Sequence, residues 1–288
     1  MYAVVGATGN TGRAVVKELK SLGEDPVCIV RNSEKAKEVL GADTRSAIAE
    51  LDDRSGMEKA LAGVKRVFIV TGHNPRSAEQ QINVIDAAKA VGAEYVVKVS
   101  GGRAVTGPNV ESVNGRAHYQ IEEHLKACGL QWCVLSPGLF MQNMLAQAAN
   151  IKNEGKIVQP WAKDVPVALI DVRDTGALGA RVLRDPGKHA GKVYSFTGEG
   201  TTYGAFADVI SEVLGKPIAY VTITLEQAEQ GMLARGMPDW LASHLIAMAR
   251  AGGNGAFSKA NTQPILDIVG RAPITTRQFV QDYKNAFS

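Results

Sequence analysis

The stretch that decides the fold is Tyr2-Ala3-Val4-Val5-Gly6-Ala7-Thr8-Gly9-Asn10-Thr11-Gly12-Arg13. A short apolar run of strand length leads into glycines spaced three apart, and a helical pattern from Thr11 to Leu22 follows. Each glycine has a mechanical reason: Gly6 permits the tight turn out of the strand, Gly9 lets a pyrophosphate approach the backbone, and Gly12 lets the helix pack close to the sheet. The helix start presents unpaired N–H groups and the positive end of its dipole to an anion, with Thr8, Asn10 and Thr11 beside them. A glycine triplet alone is weak, but one between a strand and a helix inside a β-α-β unit marks a dinucleotide site. No Gly-Lys-Ser/Thr follows, which excludes a P-loop.

Working outward, Val27–Val30, Val67–Val70, Tyr95–Val99 and Trp132–Leu135 read as further strands, continuous apolar runs of the kind buried on both faces. Helical patterns lie at Ser33–Leu40, Ser55–Leu61, Ala78–Val91 and Arg116–Cys128, and Gly23, Gly41, Gly63, Gly92 and Gly129 punctuate the helix exits. This β-α alternation predicts an α/β fold, a doubly wound parallel sheet of the Rossmann kind with right-handed crossovers. The second half is less regular. Helices read at Thr175–Leu183, Tyr203–Leu214, Leu225–Arg235, Asp239–Arg250 and Thr275–Phe287, and strands at Val193–Phe196 and Ile218–Thr222. Ala251-Gly252-Gly253-Asn254-Gly255-Ala256 reads as a flexible loop or lid.

The end of the second strand selects the dinucleotide. An NAD site places Asp or Glu there for the ribose hydroxyls, whereas this chain has Val30-Arg31-Asn32-Ser33-Glu34-Lys35. A guanidinium at Arg31 binds a 2′-phosphate that a carboxylate would repel, and Lys35, one turn into the next helix, adds a second charge. NADP(H) is therefore expected in preference to NAD(H).

Composition narrows the rest. In 288 residues, 32 Lys and Arg oppose 29 Asp and Glu, a net charge of +3 that is too small for a nucleic-acid binder. With 45% apolar residues the chain is a folded globular protein. No apolar run approaches the roughly 18 residues of a spanning helix, and the N-terminus lacks the form of a signal peptide. Cys28, Cys128 and Cys133 have no metal-binding spacing, so no metal is expected; three sparse thiols fit buried positions in the cytoplasm.

At these residues the sequence resembles the NmrA-like family of atypical short-chain dehydrogenases/reductases. The marks are Gly6–Arg13, Val30–Ala36, Val70-Thr71-Gly72, Val99-Ser100-Gly101, His118–Glu122, Ser136–Asn143, Asp171–Asp174 and Gly270–Pro273. The resemblance implies an NADP-binding domain over residues 1–140, with a return segment near 160–184. It also implies a smaller, mostly helical substrate-binding domain over 141–288, interleaved with the first. Gly6 to Gly12 would hold the diphosphate, Arg31 the 2′-phosphate and Glu50 the adenine amine. Thr71, Gly72 and His73 would line the ribose and nicotinamide side, together with Ser100 and Gly101. Pro137, Gly138, Phe140 and Gln142 would pass close to the nicotinamide, and Arg173 would reach back toward it. Ser136 departs from the family, which more often has Arg before this proline. Met232, Met237, Trp240, Met248 and Phe257 offer either an apolar pocket lining or plain core.

Ordinary short-chain dehydrogenases use a Tyr with a Lys four residues later. None of the 7 tyrosines has one, so secondary-alcohol oxidation by that mechanism is not expected. Two functions remain open. In the first, NADPH passes hydride to a quinone or similar conjugated aromatic electrophile, a small-molecule substrate; the protein supplies alignment and water exclusion. His118, taken as near-neutral in pKa, is then the candidate proton donor, or else it only packs or orients the ribose. In the second, the fold is an NADP(H)-binding redox sensor acting on a protein partner. Either would be a monomer or homodimer. Glu122 and Glu123 read as the solvated face of a helix, with pinning of a neighbouring backbone as the alternative for Glu122.

Overall fold

The structure, a computed structural model, describes residues 1–288. The first half runs β1 (Tyr2–Val5), α1 (Asn10–Ser21), β2 (Val27–Val30), α2 (Ser33–Leu40), β3 (Ser46–Ile48), α3 (Arg54–Ala60), β4 (Arg66–Ile69), α4 (Ser77–Ala90), β5 (Tyr95–Val99), α5 (Val113–Ala127) and β6 (Gln131–Pro137). There follow β7 (Leu139–Phe140), a 3-10 segment (Met141–Gln147), α6 (Ala148–Glu154), β8 (Lys156–Gln159), β9 (Pro166–Ile170), α7 (Val172–Arg184), α8 (Pro186–His189) and β10 (Lys192–Phe196). The chain ends with β11 (Gly200–Thr202), α9 (Tyr203–Leu214), β12 (Ala219–Thr222), α10 (Leu225–Ala234), α11 (Asp239–Gly253), α12 (Gln263–Val269), α13 (Thr276–Asp282) and α14 (Lys284–Phe287).

Seven strands form one parallel sheet in the order β10-β6-β5-β4-β1-β2-β3. This is the doubly wound sheet that the alternation predicts, and the period-2 geometry of its strands assigns the two faces. Val4, Phe68, Tyr95, Val97 and Leu135 pack against Val15 and Leu19 of α1 and Leu178 and Val182 of α7. Their neighbours Ala3, Val5, Val67, Val96 and Val134 pack on the other face, against Met57 of α3, Val84 and Ile85 of α4 and Ile121 and Leu125 of α5. α1 and α7 approach closely because a Cβ at Gly176 would stand 2.5 Å from the Ala14 Cβ. A third core joins Ile151, Trp161, Phe206, Ile210, Phe279 and Phe287, residues of the second half. It is flanked by two small sheets, β11-β9-β7 and β12-β8.

Differences from the sequence expectation have local causes. α11 continues through Gly252 to Gly253 instead of opening into a loop at Ala251. The Trp161 ring fills the space a Gly252 side chain would need, its Cζ2 lying 2.4 Å from an ideal Cβ there, so Gly252 is buried against the ring. The expected Thr275–Phe287 helix breaks at Tyr283 into α13 and α14. The strands β7, β9 and β11 form a small mixed sheet and β8 a parallel pair with β12, and their short runs carry no clear period. No helix is long and apolar enough to cross a membrane.

Candidate functional site

A cavity of about 730 Å³ opens at the carboxyl ends of the central strands, lined from the β1–α1 turn to the start of α7. Gly6, Thr8, Gly9, Asn10, Thr11 and Gly12 form one wall, Arg31 stands at the end of β2, and Val70 to Asn74 follow β4. Phe140, Gln142, Asn143 and Val172 close the opposite side. This is where ligands bind in open parallel sheets.

The glycine turn has the mechanical form its spacing implies. Gly6 has φ of +81°, and a Cβ there would stand 1.7 Å from the Val70 carbonyl oxygen. A Cβ on Gly12 would meet the Gly6 oxygen at 2.1 Å. Gly9 differs: the nearest atom to a Cβ there is the Gly6 oxygen at 3.4 Å, so its outer face is open. No side chain caps α1, whereas Asn32, Asp53, Ser112 and Asp171 cap α2, α3, α5 and α7. The first N–H groups of α1 therefore face the cavity without an internal acceptor. Gln142 accepts from the Val172 N–H at 3.1 Å through Oε1, which fixes its amide orientation, while its buried Nε2 has no partner. An open cradle, uncapped N–H groups and an unpartnered amide donor suit an anionic, amide-bearing dinucleotide.

The other expected residues are placed differently. Lys35 and Glu50 are exposed and lie outside the cavity lining. Pro137 and Gly138 line a neighbouring cleft of about 180 Å³ with Gly102, Arg103, Ser136, Phe257 and Lys259. Arg173 does not reach toward the cavity: it donates to Asp171 from Nε at 2.9 Å and Nη2 at 2.8 Å, and to Asp282 from Nη1 at 2.5 Å. Those carboxylates hold its pKa above the usual arginine range. Phe257 stacks on Trp161 with ring centroids 6.2 Å apart, and Met248 packs on the same core. Met232, Met237 and Trp240 are half-buried and line neither cavity.

Beside the smaller cleft lies a polar cluster that joins the expected His118 and Ser100 to two residues the sequence did not single out, Lys98 and Arg103. Lys98 of β5 is fully buried; its Nζ lies 3.0 Å from His118 Nδ1 and donates to the Val99 carbonyl at 3.1 Å. Burial is the main cause that pulls the Lys98 pKa down to about 7, against an upward pull from Glu122. His118 is held well below the ordinary imidazole value, first by burial and then by the Lys98 charge. The expectation of a near-neutral His118 pKa is therefore corrected: the ring is uncharged at pH 7.

Glu122 is also corrected, because it is buried at 2% exposure and not solvated. Its Oε2 and Oε1 accept from Arg103 Nη1 at 2.9 Å and Nη2 at 2.5 Å, and Oε1 also accepts from the Ser100 hydroxyl. Burial alone would raise its pKa, but the bonds from Arg103 and Ser100 outweigh it and bring it below the usual range. Arg103 Nε also donates to Ser136 Oγ at 2.9 Å, and Ser136 donates to the Gly101 carbonyl at 2.6 Å. Thus Ser100 and Gly101 serve this network and do not line the large cavity, and a guanidinium from another segment meets Ser136. His73, on the cavity wall, packs edge-on against His244 at 4.9 Å. Burial lowers both pKa values, that of His244 to about 4.

A doubly wound sheet with an open glycine cradle at its carboxyl edge defines the chain as a protein of the dinucleotide-binding class. The profile of the NmrA-like family matches residues 2–277, and the chain belongs to that family. It is 32% identical over 289 residues to the NAD(P)H azoreductase of Xenophilus azovorans, covering 100% of this chain and 99% of the relative. It is 30% identical to the (4-alkanoyl-5-oxo-2,5-dihydrofuran-3-yl)methyl phosphate reductase of Streptomyces griseus, covering 100% of this chain and 99% of that protein. Among solved structures, the NADPH-dependent quinone oxidoreductase of Escherichia coli in complex with NADPH superposes with a TM-score of 0.87. Its identity is 27%, and the match covers 99% of this chain and 100% of that one.

Proposed function

We propose that the protein is an NADPH-dependent reductase that delivers hydride to a quinone, azo or comparable conjugated electrophile. The reading is carried by the open Gly9 face beneath the uncapped start of α1, in a cavity whose rim holds Arg31. Full-length relatives named as NAD(P)H azoreductase and NADPH-dependent quinone oxidoreductase support it.

The N–H groups of Asn10, Thr11 and Gly12 would hold the diphosphate, and the Arg31 guanidinium would hold the 2′-phosphate. Gln142, tied by Oε1 to the Val172 N–H, offers its free Nε2 hydrogens to the nicotinamide carboxamide. NADPH bound in this way supplies the hydride at its nicotinamide C4. The chain itself positions the acceptor, excludes water and furnishes a proton donor; the second-half core beside the smaller cleft serves as the substrate-binding part.

Steady-state NADPH oxidation against a panel of quinones and azo dyes tests the proposal. Acceptor-dependent turnover with NADPH preferred over NADH is expected. Tight NADPH binding with no turnover on any acceptor would overturn it in favour of a redox sensor.

A further inference from the structure

A lysine sealed inside the sheet-helix interface needs a reason, because transferring an ammonium out of water is costly. Lys98 has the same strand parity as Val96, so it points at α5, where its partners are a backbone carbonyl and the His118 ring. The nearest carboxylate, Glu122, is already engaged by Arg103 and Ser100, and so a static ion pair does not explain the lysine.

The Lys98–His118 contact has a direction. While Lys98 is charged, below about pH 7, it has only hydrogens to give, so His118 Nδ1 is then the acceptor and the ring proton lies on Nε2. Nε2 makes no hydrogen bond within the protein and is not among the sealed polar atoms, so this N–H stays accessible. The ring edge lies against Gly101, with Cδ2 3.2 Å from an ideal Cβ there, next to Gly102 at the rim of the smaller cleft.

We propose that Lys98 is a positioning residue and proton source acting through His118, which serves acceptors that must gain a proton on a heteroatom when reduced, such as azo compounds and imines. The inference rests on the reductase reading above. An acceptor that has taken hydride carries a new electron pair on its heteroatom. The Nε2 proton of His118 moves to that atom while an Nζ proton of Lys98 moves to Nδ1. His118 ends neutral in the opposite tautomer, and Lys98 ends as a neutral amine. Water then protonates Nε2, the Nδ1 proton returns to Lys98, and the net change is one proton drawn from solvent.

The surroundings suit this relay. His118 cannot hold a second proton beside the lysine charge, so it passes one only by receiving another. Lys98 can release its proton near neutrality. The groups that face the pair are Glu122 on the same helix, Arg103 from the segment after β5, His73 after β4 and His244 on α11.

Two measurements test the relay. At pH 6, where Lys98 is charged, side-chain nitrogen NMR of the protein without nucleotide should show His118 protonated on Nε2 in the wild type, and a mixture of tautomers in Lys98→Met. A wild-type His118 protonated on Nδ1 would overturn the inference without bearing on the reductase reading. With saturating NADPH and an azo acceptor, wild-type kcat should fall tenfold per pH unit above about 7. Lys98→Met should be at least tenfold slower at pH 6 with that limb absent, and its NADPH Kd should stay within twofold. His118→Gln should show the same loss, should the methionine variant not fold. An unchanged limb in both variants would overturn the relay. Absence of any wild-type turnover would instead sink the reductase reading, leaving the NMR result to judge the Lys98–His118 geometry.

Discussion

Replacing Gly9 by alanine separates nucleotide binding from folding. Gly9 has φ of −74° and ψ of 168°, values any residue adopts, and the added Cβ would meet only the Gly6 oxygen, at 3.4 Å. Alanine is a poorer N-cap than glycine by about 0.5–1 kcal/mol, while the stiffer unfolded chain returns about 0.4–1 kcal/mol. Net stability should change by less than about 1 kcal/mol, a Tm shift of about 4 °C or less. The methyl group, however, occupies the face on which a diphosphate would lie against the α1 N–H groups. Losing one charge-assisted hydrogen bond costs about 1.5–3 kcal/mol, which weakens NADPH roughly 10- to 150-fold. Gly12→Ala is the contrasting variant. Its Cβ would lie 2.1 Å from the Gly6 oxygen and 2.8 Å from the Ala7 Cα, so the backbone must move, at about 1–3 kcal/mol or more in stability. Fluorescence titration with NADPH, alongside thermal denaturation, reads both quantities. Wild-type affinity in a normally folded Gly9→Ala protein would refute the placement of the diphosphate.

Arg31→Glu should weaken NADPH about 10- to 100-fold and spare NADH, read by titration with both nucleotides; an equal loss of both would show that Arg31 does not hold the 2′-phosphate. Glu122→Gln should cost about 1–3 kcal/mol, reduced from a fully buried pair because Arg103 is 36% exposed, as measured by urea unfolding. The Glu122 pKa is lowered on folding, so its contribution is full above the ordinary carboxylate range and fades as pH falls through the folded value. Wild type and variant should therefore converge on acidification. Lys98→Met should raise stability by about 1–2 kcal/mol at pH 6, because Glu122 keeps Arg103 when the buried ammonium goes. The Lys98 pKa falls to about 7 on folding, so wild-type stability climbs between pH 7 and the unfolded lysine value, and the gain of the variant should shrink over that window.

The parallel sheet was legible because its strands are short apolar runs bounded by glycines. Tyr2–Val5, Val27–Val30 and Tyr95–Val99 begin and end where the sequence places them. Gly23, Gly41, Gly63, Gly92 and Gly129 all adopt positive φ at the helix exits. The nucleotide turn was legible because its glycine triplet lies between a strand and a helix, where Gly6 and Gly12 answer steric demands of the turn and Gly9 leaves an open face. Of the polar cluster only His118 was legible as a proton donor; its partners Lys98, Arg103 and Glu122 come from separate elements, and no motif ties them together. Lys98 stood inside a run read as continuously apolar, though a charge in a strand covered on both faces was itself the signal. Glu122 was assigned to solvent although Ile121 and Leu125, the buried stripe of α5, flank it on the helix. Arg103 lies in a Gly-rich turn without periodicity, so only the folded chain reveals its partners.

Single-turnover stopped-flow reads hydride transfer from the bound nucleotide itself. The protein, pre-loaded with one equivalent of NADPH, is mixed with an excess of a quinone or an azo dye while nicotinamide absorbance is followed. The bound NADPH should be consumed in full, in an exponential whose rate depends on the acceptor. NADPH that stays bound and reduced against every acceptor would contradict the reductase reading.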